Sequence, residues 1–116
     1  MEIQETQKNE VKVFRLSGRL DSNTSPTLEK KINEAIENGV KNMVVDFEKL
    51  EYISSAGLRI ILKTTKDLKK RDGAIVLCAM QDYVKEVFEI AGFDSFLPIV
   101  PEVNDAVAKI EEESTS

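Results

Sequence analysis

The stretch Met43-Val44-Val45-Asp46-Phe47-Glu48-Lys49-Leu50-Glu51-Tyr52-Ile53-Ser54-Ser55-Ala56-Gly57-Leu58 decides the architecture. Its first five residues are a short apolar run with little alternation, the pattern of a strand buried in a parallel sheet. Glu48 to Leu58 reads as the loop that leaves this strand and enters a helix starting among Ser54, Ser55, Ala56 and Gly57. Leu58, Ile61, Leu62, Thr65 and Leu68 recur on one face of that helix, and Lys69, Lys70 and Arg71 sit where the negative end of its dipole favours cations.

Working outward, Leu28, Ile32, Ala35 and Ile36 mark an earlier helix, with Thr24 or Ser25 as N-cap, Pro26 in the first turn and Gly39 just past the end. Before it, Val11 to Leu16 alternates as a strand, and Gln7-Lys8-Asn9-Glu10 reads as a turn joining it to an extended stretch around Ile3. Downstream, Ala74 to Ala79 is a strand, and Val84, Val87, Phe88 and Ala91 mark a third helix that stops at Gly92. Phe96-Leu97-Pro98-Ile99 suits a short edge strand, because proline cannot donate to a sheet ladder. Val103, Ala106, Val107 and Ile110 define a last helix, and Glu111 to Ser116 reads as a polar tail. The order ββαβαβα(β)α predicts an α/β fold: a mixed, mostly parallel sheet of four to five strands with four helices, in one domain over residues 1–110.

Composition narrows the function. The chain has 116 residues and 41% hydrophobic content, enough for one domain. Its 16 basic and 21 acidic residues leave a net charge of −5, which offers no field for a phosphate backbone or an anionic lipid surface, so neither nucleic acid nor membrane is an expected partner. The longest apolar run, Ala74 to Met80, falls far short of the roughly 20 residues that span a bilayer, and Met1 to Glu5 lacks the features of a secretion signal. A cytoplasmic location is therefore expected. The lone Cys78 reads as a small core residue, and no cofactor is implied.

The chain contains no histidine, which removes Ser-His-Asp and Cys-His chemistry. It also lacks the Gly-x-Ser-x-Gly elbow and the Gly-x-x-x-x-Gly-Lys phosphate loop, so an enzyme is not expected. A phosphoacceptor role for Asp46 of the response-regulator kind would need an acidic pair after the first long strand, where only Asp21 occurs.

Open α/β sheets carry functional groups in the loops at the carboxyl ends of their strands. The two such loops of interest are Ser17 to Thr24 and Glu48 to Leu58. Ser55 falls at or near the N-cap of the second helix, where its hydroxyl could accept an amide from Gly57 or Leu58. Gly57 forfeits up to about 1 kcal/mol of helix propensity, which points to a close approach to its backbone. Asp21 reads equally as a turn residue or a functional carboxylate, and Asp46 as a structural one.

Gly18-Arg19-Leu20-Asp21, then Val45-Asp46-Phe47, then Tyr52-Ile53-Ser54-Ser55-Ala56-Gly57-Leu58-Arg59 ahead of an aliphatic helix resemble, in order and spacing, the STAS domains of bacterial anti-sigma factor antagonists. In that family the loop typically reads Asp-Ser-Ser/Thr-Gly-Leu, and the serine after the aspartate is phosphorylated by the anti-sigma factor, a serine kinase. The resemblance implies Ser55 as the acceptor, with Ser54 in the aspartate position as an alternative hydroxyl and Ala56 in the Ser/Thr position. It implies that Asp21 contributes to kinase recognition or phosphotransfer, within a recognition surface that takes in Ser54, Ala56, Gly57 and Leu58 and is flanked by Arg19 and Arg59. The implied function is partner switching: the unmodified protein binds the kinase and frees a sigma factor, phosphorylation inactivates it, and a phosphatase restores it. The same domain type also serves in stressosome-like and transporter-associated assemblies.

Overall fold

The computed structural model describes residues 1–114. Strands β1 (Glu2–Lys8) and β2 (Val11–Leu20) precede helix α1 (Ser25–Glu37), strand β3 (Asn42–Ile53) and helix α2 (Ser55–Lys70). Strand β4 (Ala74–Cys78), helix α3 (Asp82–Ile90), a 3-10 turn (Phe93–Ser95), strand β5 (Ile99–Val100) and helix α4 (Val103–Ser114) follow. The five strands lie side by side in chain order, β1 antiparallel to β2 and every later pair parallel. The STAS-like α/β architecture expected from the sequence is present.

Alternation along the strands builds a core on each face of the sheet. Phe14, Leu16, Met43, Val45, Ile75 and Leu77 point to one side, where they meet Leu28 and Ile32 of α1, Ile61 and Leu68 of α2, and Val84 and Phe88 of α3. Val11, Val13, Val44, Val76 and Cys78 point to the other, against Ala106, Val107 and Ile110 of α4. Strands β3 and β4 are thus covered on both faces, which is why Met43 to Val45 and Ala74 to Cys78 read as apolar runs. Burial pushes the Cys78 thiol up to about 12, with nearby Asp46 adding to the shift, so the thiol behaves as a core group as its setting in the sequence implied.

Several boundaries differ from the sequence-based expectation. Strands β2 and β3 continue to Leu20 and Ile53, so Ser17 to Leu20 and Glu48 to Ile53 of the two anticipated loops are strand. In α2 it is Thr64 that joins Ile61, Thr65 and Leu68 in the core, while Leu58 and Leu62 are half-buried; the Thr64 and Thr65 hydroxyls are satisfied by the carbonyls of Ile60 and Ile61. Ala91 is exposed beyond the end of α3. The edge strand is only Ile99–Val100, because Phe93 to Ser95 forms the 3-10 turn and Pro98 contributes just its carbonyl, to the Leu77 amide. Glu111 to Ser114 continue α4 rather than leaving it at Ile110, and residues 115–116 of the anticipated tail lie outside the described residues. Among the described residues no helix is long and apolar enough to cross a membrane.

Candidate functional site

The extended ends of β2 and β3 form a two-stranded ribbon that passes beyond β4, whose pairing with β3 stops at Asp46 opposite Cys78. The register between β2 and β3 shifts twice, once between the Arg15 and Ser17 pairings and once between those of Gly18 and Arg19. Each shift inserts one extra β3 residue and turns that strand over. Phe47, Leu50 and Ile53, three residues apart, therefore all enter the same core. The first shift is held by Asp46, which is only 2% exposed: its Oδ2 lies 2.9 Å from the Arg15 Nε, and its Oδ1 accepts the Glu48 amide at 2.9 Å. Asp46 is thus a satisfied structural carboxylate.

At the tip of the ribbon the Ser54 amide donates to the Leu20 carbonyl at 2.9 Å, joining the strand ends. On the β2 side the chain turns at Asp21, whose Oδ1 accepts the amides of Asn23 (2.9 Å) and Thr24 (3.1 Å). The Thr24 hydroxyl donates to the Arg19 carbonyl at 2.8 Å and accepts the Asp21 amide at 2.9 Å, so Thr24 occupies the N-cap position of α1 while its side chain serves the turn. Partial desolvation pushes the Asp21 carboxyl up, but the Asn23 and Thr24 amides, the Thr24 hydroxyl and the Arg19 cation together outweigh it and leave it below its ordinary value. The ionised turn is therefore favoured above about pH 4 and weakens as acid protonates the carboxylate.

On the β3 side the N-cap of α2 is Ser54, not Ser55: the Ser54 Oγ accepts the Gly57 amide at 3.4 Å and its carbonyl accepts the Leu58 amide at 3.0 Å. Ser54 is half-buried, whereas Ser55, the first residue of the helix, is exposed. Ala56 and Leu58 are half-buried, Gly57 is buried against Leu20 and Ile53, and Arg59 is exposed one turn beyond Ser55. No acidic residue lies in the first turn of α2. The close approach that Gly57 signalled thus comes from the domain's own core.

One further residue escaped the sequence reading. Arg19 pairs with Tyr52 across the ribbon, and its guanidinium lies 4.1 Å from the centre of the Tyr52 ring. The Arg19 Nε is 3.9 Å from Asp21 Oδ2, an ion pair too long for a hydrogen bond. A Tyr-Ile ending to a strand carries no hint of this stack, because the facing of Tyr52 depends on the two register shifts.

The model of the STAS domain matches residues 2–106 of the chain. Over 84 residues the chain is 40% identical to BtrV of Bordetella bronchiseptica, a candidate anti-sigma factor antagonist, covering 72% of each sequence. It is similar to the crystal structure of an anti-sigma factor antagonist from Mycobacterium paratuberculosis, with a TM-score of 0.88 at 24% identity over 95% of this chain and 93% of that one. It is also similar to the Bacillus cell fate determinant SpoIIAA in its phosphorylated form, with a TM-score of 0.75 at 23% identity over 94% of this chain and 99% of that one. With the β2–β3 ribbon, the capped α2 and these likenesses together, the chain belongs to the STAS domain family of the anti-sigma factor antagonists.

Proposed function

We propose that the protein is an anti-sigma factor antagonist whose binding to an anti-sigma factor serine kinase is switched by phosphorylation of Ser55. The carrying observation is the division of labour between two adjacent hydroxyls. Ser54 caps the helix and is half-buried, while Ser55 projects from the first turn into solvent, open to a kinase. The relatives that bear the antagonist name, and the phosphorylated form of one structural neighbour, support the reading.

Phosphate at this position adds about −1.5 to −2 charges at the place where a partner would cover the tip. Two like charges at 4 Å repel by about 4 kcal/mol at an effective dielectric near 20. A loss of about 2.8 kcal/mol already weakens binding a hundredfold, so one phosphate suffices to release the partner. ATP and Mg²⁺ belong to the kinase, and a phosphatase returns the protein to its binding form. Asp21 contributes to kinase recognition or phosphotransfer in this reading, which its turn at the end of β2 supports.

The test is to incubate the protein with its cognate kinase, ATP and Mg²⁺ and locate phosphate by mass spectrometry. Ser55→Ala should abolish incorporation. Ser54→Ala should retain it while costing about 1 kcal/mol of stability through the lost cap. Phosphate that persists in Ser55→Ala overturns the assignment.

A further inference from the structure

We propose that the Arg19–Tyr52 stack is a polar anchor for the partner, and that it takes a side-chain carboxylate on that partner through the open edge of the guanidinium. The inference rests on the partner-switching reading and adds to it a recognition element and the chemistry it selects. Leu20 and Ile53 point into the core, so their strand neighbours Arg19 and Tyr52 face the opposite side of the ribbon, beyond the reach of the α4-side core. The Arg19 side chain is 62% exposed and the Tyr52 residue 40%.

An exposed arginine ordinarily samples many rotamers and loses that freedom on binding. Here the ring at 4.1 Å takes one face of the guanidinium, and Asp21 attracts the Nε without closing a hydrogen bond at 3.9 Å. The group is held in place in advance while its terminal N–H donors stay uncommitted among the described residues, the arrangement that suits bidentate capture of a carboxylate. Arg15, by contrast, is tied to buried Asp46, Lys12 and Lys31 to Glu5, and Lys63 to Glu29. Tyrosine and arginine are also the residue types that carry most energy at protein interfaces. Tyr52 lies three residues before Ser55, and the Ser54–Leu20 hydrogen bond joins stack and switch in one unit.

The experiment measures the affinity of full-length variants for the cognate anti-sigma factor kinase by titration calorimetry over a range of salt concentrations. Arg19→Gln should weaken binding roughly tenfold or more and flatten its salt dependence, and Arg19→Lys should also weaken it while keeping the salt dependence, because an ammonium keeps the charge but lacks the planar fork that takes a carboxylate two-handed. Tyr52→Leu should weaken it several-fold, and Tyr52→Phe, which keeps the ring, should bind as the wild type does. All four substitutions lie on the surface, so thermal melts should match the wild type. If Ser55→Asp releases the kinase while Arg19→Gln binds within twofold of wild type, the anchor is overturned and partner switching stands. If the wild type does not bind the kinase, both are overturned.

Discussion

A methyl group on residue 57 would lie 2.8 Å from the Leu20 Cγ and 2.9 Å from the Ile53 Cγ1, closer than real side-chain contacts allow. That single position explains why a poor helix former opens α2. Alanine there would gain about 1 kcal/mol of helix propensity, but overpacking a filled core typically costs about 1–3 kcal/mol. Both obstructing groups are side chains fixed in the core, so overpacking should win. Gly57→Ala should therefore lower stability by about 1 kcal/mol in urea unfolding. It should also slow the proposed phosphorylation of Ser55, because lifting the first turn moves that hydroxyl. A Gly57→Ala protein more stable than wild type would show that the helix start does not bear on Leu20 and Ile53.

Among the elements, the ribbon depends on a carboxylate some distance from its tip. Asp46 meets both the Arg15 side chain and the Glu48 amide, and so fixes the first register shift. Asp46→Ala would leave that amide and a cation without their acceptor; because Arg15 remains partly in water, the expected loss is about 2–3 kcal/mol rather than the larger cost of a fully buried broken pair. Asp46→Asn keeps an acceptor for the amide and should lose less, and chemical denaturation of the two variants separates the contributions. The same region marks where sequence reading stops. The strands β3 and β4 are legible as apolar runs, and α1 and α3 as apolar residues three to four apart, of which only Ala91 falls outside its helix. Phe47, Leu50 and Ile53 break the strand period, since each register shift reverses the strand, and their spacing of three residues hides the continuation of β3. The serine pair and Asp21 were legible because their neighbours form a motif. Which serine caps α2 was not, because one residue of helix start lies within the ordinary uncertainty of helix boundaries.

At the scale of the whole molecule, the question is whether a phosphate on Ser55 acts by disturbing the domain or by acting on the partner alone. Both cores are built from the sheet faces and four helices, while Ser55 stands exposed at the ribbon tip. Its position is the first of α2, where a dianion meets the positive end of the helix dipole with no acidic residue in the first turn to oppose it. Arg59 follows four residues later on the same helical face, also exposed, within reach of an i,i+4 pairing with the phosphate. Both helix terms are favourable, about 0.3–1 kcal/mol for the dipole and about 0.2–0.5 kcal/mol for the pair. For a domain of this size about 1 kcal/mol moves the melting temperature by about 4 °C, so these two terms together should raise the melting temperature of the phosphoprotein by about 2–6 °C. Arg59→Ala should shrink that rise without abolishing it. Binding to the kinase should fall at least a hundredfold in the same sample, since the charge unfavourable to a covering surface is stabilising to the uncovered helix. A phosphoprotein that melts several degrees lower would place the switch in the fold rather than in the contact it makes.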